Sequence, residues 1–168
     1  MKDDLSAGHD APPGKGDRLT SGDGYAWYVV AVLMFAYIVA IIDRQILSLL
    51  VEPIKRDFGV TDTQIGLLAG FAFVLFFSVL GVPIARLADR KNRKAIISIG
   101  IVIWSLMTAA CGLTKTYAQL FIMRVGVGVG EATLSPAAYS IMADYFPPKK
   151  LARAMGVYAM GLYAGAGI

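Results

Sequence analysis

The sequence has 168 residues, 57% of them hydrophobic and 17% charged, with a mean hydropathy of +0.61. That is too apolar for a soluble domain of this size. The net charge of +4 raises the question of a nucleic-acid partner, but the basic residues cluster in short links between apolar runs, which is a membrane-topology pattern, so nucleic acid is excluded. Cys111, the one cysteine, lies in an apolar run, leaving no disulfide framework and no cysteine metal site.

Residues 1–24 are rich in Gly, Pro, Ser, Asp and Lys and read as a solvated, disordered tail. The tail lacks the apolar core of a signal peptide, so it is expected to stay on the cytoplasmic side. His9 sits there and reads as a solvated residue.

The first apolar run, residues 25–51, opens with Tyr25, Trp27 and Tyr28, which fit an aromatic belt at a membrane interface. It is long enough to cross a bilayer. Asp43 and Arg44 interrupt it, and intramembrane charges are functional by default. Glu52 to Asp62 form a short amphipathic connection with Pro53 and Gly59 as breakers, and Thr61 or Asp62 caps the next helix. That second helix is expected over 63–87, with Gly66 and Gly70 in small-xxx-small spacing and a bend at Pro83. Its Phe71, Phe73, Phe76 and Phe77 face lipid or core, with a lipid-tail pocket as the less favoured reading.

Ala85 to Lys94 carries five basic residues and Asp89, and reads as a cytoplasmic loop. A third helix spans 95–113 and a fourth 117–145, with Pro136 as its expected kink. A basic break at 146–150 leads into a fifth apolar run, 151–168. The tail and the two links on its side hold eleven Lys or Arg, whereas the opposite links hold three, Lys55, Arg56 and Lys115. This places the amino terminus in the cytoplasm.

The stretch Arg124 to Pro136 is the centre of interest. It carries a cation, an acid at Glu131, and alternating glycines at 126, 128 and 130. Arg124 and Glu131 are seven residues apart, about two turns, and so share a face. At the helical rise, Asp43 lies about 12 Å from the outer end of its helix, Arg124 about 10 Å below the same surface, and Glu131 about 10 Å deeper. One acid is expected to pair with one arginine, leaving the other arginine for an anion and Glu131 for a proton, since a buried unpaired carboxyl protonates readily.

Two motifs resemble those of the major facilitator superfamily. Ala85–Lys94 is similar to its Gly-x-Leu-Ala-Asp-Arg-x-Gly-Arg-Lys signature, matching at Leu87, Ala88, Asp89, Arg90, Arg93 and Lys94, with Ala85 and Asn92 in place of the glycines. Arg124 to Glu131 resembles its helix-four signature, Arg-x-x-x-Gly followed by Gly-Glu-Ala. Within the superfamily the resemblance is to spinster-like transporters, on Asp43-Arg44, Gln64–Leu68, Asp89–Lys94, the V-G-V-G-E-A from Val127 and Ala143–Phe146.

The resemblance implies an all-α, polytopic transmembrane bundle. Of its twelve helices in two halves, this chain supplies four and part of a fifth, and the C-terminal half is an expected partner. It further implies a proton-linked secondary transporter of an amphiphilic anion, such as a lysolipid or a sphingosine-1-phosphate-like molecule, in a bacterial inner membrane among membrane lipids. Asp43 and Glu131 would be the proton-coupling sites, Arg44 and Arg124 the substrate or ion-pair sites, and Asp89, Arg90 and Arg93 a cytoplasmic gate. The alternative is an organic-anion symporter of the same superfamily. A non-transporting membrane scaffold is a weaker reading, because polar contacts between helices average under about 1 kcal/mol and explain four charges poorly. No enzyme activity, cofactor or metal is expected, since no nucleophile–base pair, ligand cluster or nucleotide loop is present.

Overall fold

The computed structural model describes residues 23–90 and 92–167, without the side chains at 23, 72, 73, 76, 85 and 87–90. Among the described residues every regular element is helical. Helix α1 (Asp23–Leu49) is followed by the short α2 (Val51–Phe58). Next, α3 (Asp62–Gly66), a π-helical turn (Leu67–Phe71) and α4 (Ala72–Arg90) form one continuous span. Then come α5 (Arg93–Cys111), α6 (Tyr117–Glu131), α7 (Leu134–Tyr145) and α8 (Pro148–Ala166). Most of the disordered tail expected at 1–24 falls outside the described residues.

Local chemistry explains the ends of these elements. Pro53 occupies the third position of α2, where a missing N–H costs nothing, so it starts a helix rather than breaking one. Gly59 ends α2 at φ 61°, a left-handed conformation that suits glycine. Thr61 caps α3 in a reciprocal box, its hydroxyl accepting from the Gln64 N–H while the Gln64 side chain accepts from the Thr61 N–H at 2.8 Å. Lys55 Nζ ties α2 to the start of α3 through Asp62 at 2.7 Å.

The stretch expected as a loop at 85–94 is instead mostly helical, because α4 runs on to Arg90 and α5 begins at Arg93. Asn92 makes this tight turn possible by accepting a hydrogen bond from the Ala95 N–H at 3.3 Å.

The fourth apolar run differs more. It is two helices, broken at Ala132–Thr133 rather than kinked at Pro136. A helical proline clashes with the carbonyl four residues earlier, here Ala132, so the break lies upstream of the ring. Pro136 then sits in the first turn of α7, where its missing N–H is harmless.

α1 packs along α8, α5 packs along α6, and α4 crosses α6 and α7. Two of these seams bring backbones unusually close. A Cβ on Gly130 would lie 2.7 Å from the Trp104 backbone nitrogen and 2.8 Å from the Gly100 carbonyl oxygen. One on Gly165 would lie 2.9 Å from the Ile38 carbonyl oxygen. The core inside these seams includes Trp104, Val127, Met142 and Tyr158, while Phe35, Val79, Ile99, Leu106 and Ile122 point outward. An apolar exterior over an apolar core is the pattern of helices surrounded by lipid. Taken singly, Gly24–Leu49 and Arg93–Cys111 are long and apolar enough to cross a membrane.

Backbone cannot yield as a flexible side chain does, so Gly130→Ala is expected to cost about 1–3 kcal/mol through overpacking. Gly156→Ala, where nothing lies within 4 Å of an added Cβ, should leave stability unchanged or slightly raised. Thermal unfolding of the two variants of the complete protein in detergent checks this. Equal midpoints would show that the α5–α6 seam is not close-packed.

Candidate functional site

Asp43 and Arg44 are adjacent on α1, so their side chains leave the helix about 100° apart. Arg124 and Glu131 occupy one face of α6, about two turns apart. The structure joins the four residues in two crossed pairs. Arg124 Nη1 donates to Asp43 Oδ2 at 2.8 Å, and its Nη2 reaches the Asp43 carbonyl oxygen at 3.4 Å. Arg44 donates to Glu131 Oε2 twice, from Nε at 2.8 Å and from Nη2 at 2.6 Å. The expectation that one arginine and Glu131 stay unpaired is therefore corrected, since each acid holds an arginine. The physical reason is the penalty for a buried lone charge, several kcal/mol per ion, together with a side chain long enough to span the offset.

The two pairs differ in setting. Asp43 and Arg124 are both nearly enclosed, with side chains 11% and 9% exposed. The Glu131 side chain is fully enclosed, whereas that of Arg44 is 35% exposed and has its guanidinium 5.5 Å from the Phe77 ring centroid. Glu131 is the last residue of α6, where the helix dipole disfavours an anion, so its carboxylate depends on Arg44. Only Oε2 is engaged. Oε1 is buried and lacks a hydrogen-bond partner among the described residues. Leaving such an atom unmet costs about 1–3 kcal/mol, a standing demand for a proton or a donor group.

Beyond the break after Glu131, α7 carries Ser135 and Tyr139. Ser135 Oγ lies 3.4 Å from the Tyr158 hydroxyl, and Tyr158 stacks on Tyr37 at 4.9 Å and meets Tyr139 edge-on at 5.5 Å. The sequence expectations do not include these residues. The four-residue interval from Ser135 to Tyr139 places those two on one face of α7.

At the basic end of the bundle, Arg93 pairs with Asp144 of α7 and donates to the Ser140 carbonyl oxygen at 3.0 Å. The sequence marks Asp144 only as part of the Ala143–Phe146 resemblance and assigns it no partner. The side chains of Asp89 and Arg90, expected beside Arg93, lie outside the described residues. Of the helix-two phenylalanines, Phe71 is exposed and Phe77 meets Arg44, while the side chains of Phe73 and Phe76 are not described. Among the described residues no group of three or more His, Cys, Asp or Glu is placed to hold a metal.

Comparison with known proteins agrees with this architecture. Residues 33–168 match the family model described as Major Facilitator Superfamily. An MFS-type efflux pump of Mycolicibacterium smegmatis is 36% identical over 84% of this chain and 33% of its own length. Protein spinster homolog 1 of Xenopus tropicalis is 33% identical over 92% of this chain and 30% of its own length. The crystal structure of a bacterial homologue of the human lysosomal transporter Spinster, inward-facing and unoccupied, superposes with a TM-score of 0.82 at 44% identity. That match covers 86% of this chain and 30% of the other. The chain thus spans about a third of the length of the curated relatives it matches. With apolar helices around a paired-charge centre among the described residues and a family match over most of its length, this chain belongs to the Major Facilitator Superfamily and is an integral membrane protein.

Proposed function

We propose that the chain is part of a proton-coupled secondary transporter that moves an amphiphilic anion, of the lysolipid or sphingosine-1-phosphate type, by alternating access. The observation that carries this reading is the Arg44–Glu131 pair. It joins a partly exposed cation to an enclosed carboxylate whose second oxygen has no hydrogen-bond partner among the described residues. A proton on Glu131 removes the charge that holds Arg44 and turns Arg44 toward an anionic head group. Loss of the proton returns Arg44 to Glu131 and expels the anion. Asp43 and Arg124 form the second coupling pair. The similarity to spinster proteins supports a transport role, and the lipid-like substrate is the one that the sequence resemblance implies.

The tail, the α4–α5 turn and the start of α8 face the cytoplasm in this reading, as the distribution of Lys and Arg favours. Arg93 holds α5 to α7 at the cytoplasmic end through Asp144, and Asp89 and Arg90 are the further gate residues that the sequence resemblance implies. Asp144 is 61% exposed, and exposed pairs contribute only about 0–1 kcal/mol, so this latch opens readily.

Two experiments on the complete protein in proteoliposomes test the proposal. Glu131→Gln keeps a hydrogen-bonding group but cannot exchange a proton, so lysolipid movement driven by a pH gradient should fall about tenfold or more, as expected for losing a charge-assisted bond. Substrate exchange without a gradient should persist. Full gradient-driven transport by this variant would refute the coupling role, and movement of small organic anions in place of lysolipid would refute the substrate class. For the latch, Arg93→Asp alone should slow transport, and adding Asp144→Arg should restore it. Failure of the double exchange to improve on the single change would exclude the pair as a gate.

A further inference from the structure

A cavity of about 390 Å³ lies between α1, α2, α5 and α6. Asp43 and Arg124 line its deep end, Thr108 and Cys111 its wall, and Thr114 and Asp57 the end near α2. It therefore leads from a nearly enclosed ion pair toward the α2 side of the membrane, within the bundle.

Two features point to water as its content. Thr108 Oγ1 is buried without a hydrogen-bond partner among the described residues, and buried hydroxyls that the protein leaves unmet are met by ordered water. The space also has room for several waters, and Asp43, Asp57, Thr108 and Thr114 supply carboxylates and hydroxyls along its lining.

The titratable groups around Asp43 are few. Arg124 faces it from α6 at 2.8 Å, and Cys111 of α5 and Asp57 of α2 share the cavity. Arg44 on its own helix is committed to Glu131, close enough for the four charges to act on one another. The charged residues of α4 and α8 lie at the far ends of those helices, at Arg86 to Arg90 and Lys149 to Arg153.

We propose that this cavity is a water-filled branch carrying protons between the α2 side of the membrane and Asp43, separate from the surroundings of Glu131. The inference rests on the proton-coupled function proposed for the chain and adds a sidedness to it. A proton borne by cavity water passes to the Asp43 carboxylate, the water keeps its electron pair, and Arg124 loses its anionic partner. The two acids then answer to different water. Asp43 exchanges through the α2 side, and Glu131, enclosed behind Arg44, exchanges only where Arg44 is exposed.

Half-buried Cys111 reports on the wall. In the complete protein, with any other cysteine changed to serine, a membrane-impermeant methanethiosulfonate is applied to each face of sealed vesicles in turn. Thiol reactivity depends on access, so labelling should be about tenfold faster from the α2 face than from the other. Modification from that face should suppress gradient-driven transport several-fold, while Cys111→Ser transports normally and ignores the reagent. Labelling only from the opposite face, or only after denaturation, would overturn the branch. So would full gradient-driven transport after complete modification. Transport by the unmodified protein that ignores the pH gradient would instead refute the proton-coupled function, and with it any proton traffic to Asp43.

Discussion

Two arginine–carboxylate pairs across the α1–α6 interface set the terms for everything around them. Charged side chains in an apolar span are expensive and persist only when they meet a partner or water. Neighbouring residues on α1 here reach residues seven apart on α6, which fixes the two helices in one register. A one-residue slide would leave one of the four charges buried and alone, at a cost of about 3–5 kcal/mol. The same argument makes the pairs useful. A proton or an anion that satisfies one member releases the other, so small binding events bear on a strong constraint.

The packing around this centre serves to hold it. Gly100 and Gly130 let α5 and α6 touch through their backbones, and Gly165 does the same for α8 against α1. Close backbones fix the helix axes and leave the long arginine side chains to absorb the remaining offset. The break after Glu131 ends α6 at the carboxylate itself, which places that acid against an unfavourable dipole and binds it to Arg44. Beyond the break, α7 carries Ser135 and Tyr139 onward beside Tyr158, extending the polar face past the ion pair.

Much of this is readable from the residues. Apolar runs mark a helical membrane bundle, and the charges at 43, 44, 124 and 131 declare themselves by being costly where they stand. The family resemblance through Asp89–Lys94 and Arg124–Glu131 agrees with the family match over residues 33–168. The pairing is not readable, because residue spacing gives depth and face along one helix but not the rotation of its neighbour. For the same reason the pairing of Asp144 with Arg93 and the contact of Tyr158 with Ser135 escape notice in the sequence, as each joins residues on different helices. The break lies at Ala132–Thr133 rather than at the proline itself because a proline's steric effect falls on the carbonyl four residues earlier.

The central claim is that anion binding and protonation are linked through the same ion pairs, the proton taking the acid and the anion its arginine, and proton counting on binding tests it most directly. Purified complete protein in weakly buffered detergent solution is mixed with lysolipid while the pH is monitored. The account predicts uptake of about one proton per lysolipid bound, since an anion on Arg44 leaves Glu131 to be protonated, and loss of that signal in Glu131→Gln. Saturating binding with no proton taken up at any pH across roughly 5 to 8, the range in which proteins are most stable, would contradict it.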